Sequence, residues 1–359
     1  MKKTFTATLQ VPGCSHAMFP GITECQDGSL LIHCQGASGF ESPDARMFQF
    51  RSTDDGRSWQ FEGILSDRKD FKFTGIFSET CKPAVLADGT LITSGYGFLR
   101  DRPDLTLSDY SRQFGRYPEM KNFNLRSTDN GKTWGNYEWI DHEYTGIENS
   151  GPSVRLNDGS VIFTGAPFEL TAEINRGLVF KSDPAGKNFK EYSCFFADKN
   201  VTPFETRSAQ LADGTIAIIF WAYDLKKNEN LNNHIVISRD NAKTWSKAFD
   251  TGLAGQASNL FVYKNRLFAV QARRTGNDPG IFVNEIFISG ETVSTGSDIC
   301  LWSANGAKGK TGEINQLFES LKFGQPSVFV HKDEIQLVFW SAASGNYRIE
   351  VYGYKADIL

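Results

Sequence analysis

Three glutamates that each precede an Asp-Gly turn are the residues of this sequence best suited to do chemistry. They are Glu79, Glu148 and Glu205. If they begin equivalent strands, their carboxylates converge, and mutual repulsion raises the pKa of at least one of them. One protonated and one ionised carboxyl group are what acid/base cleavage of a glycosidic bond requires. Alternatively, some of these glutamates only accept hydrogen bonds from backbone N–H groups at strand ends.

A repeated hairpin pattern supplies the strands that would position these glutamates. In its clearest copies an alternating run leads into Leu-x-Asp-Gly and a second β-rich run follows, which is a strong hairpin signal. The copies are Pro20–Cys34, Pro83–Gly95, Pro152–Gly165, Ser208–Trp221, Ala257–Ala272 and Pro326–Ser341, the last two with weaker turns. We interpret each copy as the first two strands of one blade, and we number the blades 1 to 6.

A second repeat, Ser-x-Asp-x-Gly-x-x-Trp, alternates with the first. It occurs at Ser52–Trp59 and Ser127–Trp134, with Ala in place of Gly at Ser238–Trp245 and in a degenerate form at Lys181–Phe189. The Asp carboxylate can accept hydrogen bonds from the backbone of its own turn, and Gly supplies a position with positive φ. The Trp ring is expected to pack under the sheet. Recurrence of one turn along the chain predicts a repeat architecture.

This second repeat resembles the Asp-box of the sialidase (neuraminidase) superfamily. The resemblance implies an all-β protein, a six-bladed β-propeller of four-stranded antiparallel blades, whose Asp-boxes lie opposite the active site. The last strand, Tyr347–Tyr354, leaves blade 6 one strand short, and the N-terminal Phe5–Val11 alternates well. We therefore expect the N-terminal strand to join blade 6 and close the ring, which removes the open edges. Residues 1–359 are predicted to form a single propeller domain.

The same resemblance suggests which carboxylates are catalytic. In sialidases a catalytic Glu precedes the blade-4 Leu-x-Asp-Gly by six residues, and Glu205 keeps that spacing to Leu211. The family's acid/base Asp lies in the blade-1 loop before the first Asp-box, where this sequence has Asp44. Exo-arabinanases, which are other six-bladed relatives, use two glutamates from adjacent blades, and Glu148 with Glu205 would fit that arrangement. The predicted catalytic residues are therefore Glu205, Asp44 and Glu148.

Strand direction predicts the face on which these residues lie. The starts of the first strands and the loops between second and third strands share one face, and long loops on a rigid scaffold are where a site is expected. The longest connections ending there are Gly36–Arg46, Leu99–Lys121, Asp224–Asn233, Arg273–Gly280 and Ser303–Phe323. The residues predicted to bind substrate at this mouth are His16, Arg46, Glu79, Tyr96, Arg100, Trp221, Arg273, Arg274 and Gln325.

Several positions depart from the sialidase pattern. The arginine that grips the substrate carboxylate in sialidases, two residues before a proline, is Met18 here. The second family arginine falls on Trp221, the third falls near Ile281, and the nucleophilic tyrosine falls on Gln325. A hydrophobic residue cannot replace a guanidinium as a carboxylate ligand. We therefore predict that a neutral sugar is preferred, with the Trp221 ring as an apolar face.

The composition of the chain indicates which classes of binding partner and cofactor to expect. The chain has 38 basic and 42 acidic residues, a balance that gives no reason to expect a nucleic acid or a membrane as partner. Its six cysteines lack C-x-x-C spacing, and no metal-binding or nucleotide-binding motif is present, so no cofactor is expected. The N-terminus lacks an apolar signal segment, which predicts a cytoplasmic location. The expected partner is a small carbohydrate substrate, and the oligomeric state is left open.

The function that these observations favour is a glycoside hydrolase that trims a short oligosaccharide with two carboxylates. Three alternatives stay open at this point. One is an exo-sialidase whose carboxylate-binding site has been rebuilt from Arg46, Arg100, Arg102, Arg273 or Arg274. Another is a non-catalytic propeller that binds a glycan or a protein. The third is a sugar lyase or epimerase, in which His16 could serve as the base.

Overall fold

Antiparallel strands make up almost all of the regular structure in the computed structural model. The structure describes residues 2–68, 71, 73, 75–169, 173–304, 321–343 and 346–359. The chain begins with β1, Phe5–Leu9. Group 1 of the strands that follow consists of β2 (His16–Glu24), β3 (Leu30–Ala37), β4 (Arg46–Ser52) and β5 (Gln60–Ile64). Group 2 consists of β6 (Ile76–Val85), β7 (Leu91–Arg100), β8 (Met120–Ser127) and β9 (Glu138–Ile140), with helix α1 (Leu107–Phe114) between β7 and β8.

The remaining strands repeat this arrangement. Group 3 is β10 (Ile147–Glu148), β11 (Val154–Arg155), β12 (Val161–Pro167), β13 (Asn175–Lys181) and β14 (Lys190–Asp198). Group 4 is β15 (Val201–Gln210), β16 (Ile216–Asp224), β17 (Glu229–Asn230), β18 (His234–Ser238) and β19 (Phe249–Asp250). Group 5 is β20 (Ser258–Tyr263), β21 (Arg266–Arg273), β22 (Gly280–Ser289), β23 (Thr292–Thr295) and β24 (Ile299–Ser303). Group 6 is β25 (Phe323–His331), β26 (Glu334–Ala343) and β27 (Asn346–Lys355), before a 3-10 turn at Ala356–Ile358.

Hydrogen bonding gathers the described strands into five sheets, because groups 1 and 6 share one. Groups 1 and 6 are joined by one parallel pair of described residues, His16 with Tyr347. The described strands otherwise form antiparallel ladders. The N-terminal strand β1 pairs with β27 from Phe5 opposite Gly353 to Leu9 opposite Ile349. The prediction that the N-terminal strand completes the last group is confirmed. No helix among the described residues is long and apolar enough to cross a membrane.

The predicted hairpin turns lie where the sequence placed them. In group 1 the turn closes with Gly28 N–H donating to the Cys25 carbonyl at 3.0 Å, and Gly28 has φ 82°. In group 6 the turn residues Lys332 and Asp333 both have positive φ, as a two-residue hairpin turn requires. The paired runs on each side of these turns are rich in β-branched and aromatic residues, which pack well on a pleated surface.

The second repeat forms turns that its own side chains hold. At the first copy Asp54 Oδ1 accepts from the Ser58 backbone N–H at 2.9 Å and from Ser52 Oγ at 2.8 Å. The Ser52 hydroxyl oxygen in turn accepts from the Gly56 N–H at 2.8 Å. The copy at Ser127–Trp134 has the same bonds. Residues Trp59 and Trp134 are half-buried.

Helix α1 is an element that the sequence analysis treated only as a long loop. Thr106 caps its start, because the Thr106 hydroxyl accepts from the Asp109 N–H at 3.0 Å. The helix ends at Gly115, which has φ 66°. Two features of the sequence could have predicted this helix. They are the spacing Thr-x-x-Asp at its start and a Gly eight residues after its first residue.

Groups 1 and 6 also meet through a histidine held between two carboxylates. His331 Nδ1 lies 3.1 Å from Glu24 Oε2, and His331 Nε2 lies 2.9 Å from Asp55 Oδ1. A carboxylate accepts hydrogen bonds, so the two ring nitrogens of His331 can each contact one of these carboxylates. His331 therefore links group 6 to two carboxylates of group 1.

We predict that His331→Gln destabilises the protein, because it removes the ring that contacts both Glu24 and Asp55. Loss of hydrogen bonds to charged partners is expected to cost about 1.5–3 kcal/mol. Thermal or urea unfolding measures the difference from the wild type. The matched control is Lys332→Gln, whose side chain is 69% exposed and contacts the same Asp55 at 2.7 Å. A loss for His331→Gln no larger than that for Lys332→Gln would contradict the prediction.

Candidate active site

A pocket of about 120 Å³ is lined by residues from all six strand groups or the loops that follow them. Three of its residues, Phe19, Glu205 and Gln325, are placed by the same local device. Each has a positive φ, of 55°, 48° and 44° respectively. Each also lies at a shift in strand register, in β2, β15 and β25. Such bulges re-aim a side chain at the cost of backbone strain, and they are common beside active sites.

Glu205 carries the charge of the pocket. Its Oε2 accepts from Gln325 Nε2 at 2.9 Å and lies 3.3 Å from Arg207 Nη2. Arg207 is itself fixed, because its Nη1 donates to Ser150 Oγ at 2.6 Å. A guanidinium and an amide donor both stabilise the ionised carboxylate.

Glu148 is the protonated partner of Glu205. Its Oε2 accepts from the Glu205 backbone N–H at 3.3 Å. Burial and then the negative charge of Glu205 raise the pKa of Glu148 to about 8, against the weaker opposing effects of the Glu205 backbone N–H and of Arg207. At neutral pH the pair therefore offers one proton donor and one carboxylate.

Glu41 is a third pocket carboxyl that the sequence analysis did not single out. It lies in the loop after β3, and its Oε2 accepts from the Ser108 N–H at 2.9 Å and from Ser108 Oγ at 2.8 Å. Burial raises its pKa, and the hydrogen bonds from Ser108 only partly offset this effect. Asp44, which the family resemblance favoured in the same loop, is exposed, and its carboxylate accepts from the Ser38 N–H instead. Asp44 does not line the pocket.

Two buried cations, Lys82 and Arg274, also line the pocket. Lys82 is 4% exposed, and burial lowers the pKa of its amine to about 7. Arg274 is 2% exposed, and burial lowers its pKa to about 10 although the charge of Glu205 opposes the shift. The Nε of Arg274 donates to the Phe323 carbonyl at 2.7 Å, whereas its Nη1 has no hydrogen-bond partner among the described residues.

The structure brings together some of the residues predicted to bind substrate. The predicted residues that line the pocket are Glu79, Tyr96, Glu148, Glu205, Arg274 and Gln325. Tyr96 is half-buried, and desolvation followed by the charges of Glu148 and Glu205 raises its pKa. Glu79 is held by an ion cluster, because its carboxylate lies 2.9 Å from Arg68 Nη2 and accepts from Tyr137 Oη at 2.6 Å.

Other predicted residues lie outside the pocket lining. Arg46 lies 3.5 Å from Glu79 in the same ion cluster. Arg273 lies 2.8 Å from Asp298 and over the Phe282 ring. Arg100 is buried and donates through Nη1 to the Glu41 carbonyl at 3.2 Å.

Trp221 and His16 are also absent from the lining. Trp221 is 1% exposed and its Nε1 donates to Asn230 Oδ1 at 2.8 Å, so its ring offers no face to a sugar. The His16 ring stacks on Tyr347 with 4.2 Å between centroids. Most of the predicted connector Ser303–Phe323 lies outside the described residues.

Comparison with solved structures finds chains of the same fold. A Dyadobacter fermentans protein of unknown function superposes with a TM-score of 0.77 at 17% identity, over 99% of this chain and 98% of that chain. The Hadza microbial sialidase Hz136 superposes with a TM-score of 0.69 at 14% identity, over 96% of this chain and 66% of that chain. The fold is sialidase-like. No family model matches the sequence, and no curated protein matches it significantly.

A Trypanosoma rangeli sialidase extends the same comparison. It superposes with a TM-score of 0.64 at 12% identity, over 99% of this chain but 58% of that longer chain. Identities this low show the fold alone. The chemistry of the pocket depends on the residues of this chain that line it. Within the described ranges, no three His, Cys, Asp or Glu side chains are grouped so that they could hold a metal ion.

We predict that Glu148→Gln changes the pH dependence of stability. The folded protein holds the Glu148 proton to about pH 8, whereas the unfolded chain releases it near the ordinary value of 4.5. The stability that this proton provides is therefore complete below about pH 4.5 and is lost as pH rises to about 8. The variant should gain thermal stability relative to the wild type as pH rises through this range, and melting temperatures across it measure the effect.

The exposed Glu119 provides the control, since its side chain is 59% exposed. Glu119→Gln should follow the wild-type pH profile in the same melting experiment. If Glu148→Gln and the wild type differ by a constant amount at every pH, Glu148 does not titrate as the structure indicates.

Proposed function

We propose that this protein is a glycoside hydrolase whose acid and base are Glu148 and Glu205. The observation that carries the proposal is the contact between Glu148, a half-buried carboxyl that retains its proton, and Glu205, a carboxylate held by Arg207 and Gln325. Glu148 would donate its proton to the glycosidic oxygen as the bond breaks. Glu205 would activate a water or attack the sugar carbon from the opposite side.

We also propose that the six strand groups are the six blades of a propeller that forms a single domain. In most groups the first strand contacts the first strand of the next group. Strand β2 contacts β6, β15 contacts β20, β20 contacts β25, and β25 contacts β2, which closes the cycle. Group 3 fills the remaining step, with β10 against β7 and β12 against β15. A central pocket lined from every group is what such a ring would produce.

A specific observation favours an acidic sugar as the second candidate substrate. The preference for a neutral sugar depended on Trp221 as a stacking face, and that ring is buried. Arg274 instead lines the pocket with its Nη1 unpaired by the described residues. A solved Trypanosoma rangeli sialidase is in complex with sialic acid. An exo-sialidase with a relocated carboxylate-binding residue is therefore the alternative that the pocket supports best.

Leaving-group dependence tests the two carboxyl roles. We predict that Glu148→Gln reduces kcat/KM by about a hundredfold or more on alkyl glycosides, which need protonation, and much less on dinitrophenyl glycosides, which do not. Glu205→Gln is expected to lose activity on both classes. Steady-state kinetics on a panel of neutral and acidic glycosides, sialosides included, provide the measurement.

Two further variants separate the acids of the blade-1 loop. Glu41→Gln tests the carboxyl of this loop that lines the pocket, and Asp44→Asn tests the one that the family resemblance favoured. The leaving-group signature in Glu41→Gln rather than in Glu148→Gln would move the acid role to Glu41. Unreduced activity in a folded Glu205→Gln variant would exclude the proposed mechanism.

A further inference from the structure

A second cavity adjoins the pocket and shares part of its wall. The pocket has a volume of about 120 Å³, and the described residues that line it are all buried or half-buried. Ligand sites commonly have volumes of about 300–1,000 Å³, so a ligand of ordinary size requires the pocket to enlarge. The adjoining space, which we call the outer cavity, has a volume of about 260 Å³. It reaches the surface at Asp109, whose side chain is 48% exposed.

Two residues of the loop between β3 and β4 separate these spaces. Phe40 and Glu41 line both the pocket and the outer cavity, as does Leu321. Glu41 Oε2 accepts from the Ser108 N–H at 2.9 Å and from Ser108 Oγ at 2.8 Å. Arg100 Nη1 donates to the Glu41 carbonyl at 3.2 Å and so holds the backbone of this residue and not its side chain. Ser108 belongs to helix α1, so the two bonds to its N–H and hydroxyl groups fasten the loop to the helix.

The backbone of Glu41 is strained in this position. Its φ is 55°, in the left-handed region that residues other than glycine rarely adopt. Such strain persists where surrounding contacts hold it, and it clusters at ligand clamps and switch regions. The loop is also closed on itself, because Ser38 Oγ lies 2.9 Å from Ser42 Oγ and the Ser38 N–H donates to the Asp44 carboxylate at 3.1 Å. Release of the Glu41 side chain would therefore relieve the strain and leave the loop able to move as a unit.

We propose that Phe40 and Glu41 form a gate between the outer cavity and the pocket, that Ser108 holds it closed, and that ligands reach the pocket through it. Opening breaks the two bonds from Ser108 and lets the strained backbone of Glu41 relax, while the strand groups keep their places. Gates of this kind keep water out of a site until a ligand enters. This gate would act whether or not the pocket cleaves a glycoside.

Chemical labelling of a thiol inside the pocket measures the gate without any ligand or turnover. Thr80 lines the pocket and is 8% exposed, and its Oγ1 has no hydrogen-bond partner among the described residues. Thr80→Cys therefore introduces a thiol with little change in shape. Iodoacetamide, which is small and uncharged, is the reagent, and fragment-ion mass spectrometry follows alkylation at each position. In the same sample the exposed Cys300 reports the activity of the reagent, and Cys34, which is 0% exposed, reports unfolding.

Variants made in the Thr80→Cys protein test the contact that holds the gate. Glu41→Ala should raise the alkylation rate at position 80 by about tenfold or more, because both hydrogen bonds from Ser108 are lost. Ser108→Ala removes one of the two bonds, leaves the Glu41 side chain in place, and should raise the rate less. The control is Glu119→Ala, at an acid whose side chain is 59% exposed, and it should leave the rate unchanged.

The Ser108→Ala variant also distinguishes a gate from a fixed wall. Glu41→Ala would open a hole in either, whereas Ser108→Ala loosens a gate and leaves a fixed wall intact. It decides the question even if Glu41→Ala does not fold.

Two outcomes would overturn the proposal. In the first, the thiol at position 80 reacts as fast as Cys300 in the Thr80→Cys protein, which would show that the pocket is open without any movement of the gate. In the second, Ser108→Ala leaves the rate at position 80 unchanged while Cys34 stays unreacted, which would show that Ser108 does not hold the gate closed.

Discussion

Glu148 and Glu205 share one wall of the pocket, where the charge of Glu205 opposes ionisation of Glu148. Glu148 accepts a hydrogen bond from the backbone of Glu205 itself, at 3.3 Å, so the two residues cannot move apart independently. Burial and like charge both oppose a second negative charge. The partners then decide which group keeps the proton, because Arg207 and Gln325 contact the Glu205 carboxylate. Acid/base chemistry needs one protonated and one ionised carboxyl group. Here the difference comes from Arg207 and Gln325, the two donors that contact Glu205.

The strand bulges are what place these donors. In a regular ladder, residues alternate between the two faces of a sheet, so Glu205 and Arg207, two residues apart, can contact each other from the same strand. The register shift between Phe204 and Arg207 changes the direction of the strand at this point and so re-aims the pair. The strained φ at Glu205 persists because the ladder with β16 is regular on both sides of the bulge. Rigid hairpins therefore position the site more directly than the loops do.

Local signals predicted the scaffold well, and non-local packing limited the prediction of the site. Asp-Gly hairpins and side-chain-held turns are encoded within a few residues, so their positions and the pairing of β1 with β27 could be predicted. Glu205 was found by its spacing to a turn. Trp221 was assigned wrongly as a sugar platform because all nine residues of β16 are buried, and alternation gives no information about a strand covered on both faces. Glu41 depends on its contact with Ser108, far along the chain, which no local pattern reveals.

The placement of Lys82 shows why burial alone does not explain the cations of this pocket. Glu205 already has Arg207 as its counter-ion, so a second buried amine is not needed to neutralise it. Lys82 supports the bulge of β2 by donating to the Phe19 carbonyl, but a neutral donor would do this without the cost of burying a charge. Instead, Arg207 opposes the charge of Lys82 and Glu205 favours it, so these three side chains together, and not burial alone, determine the charge of the pocket wall.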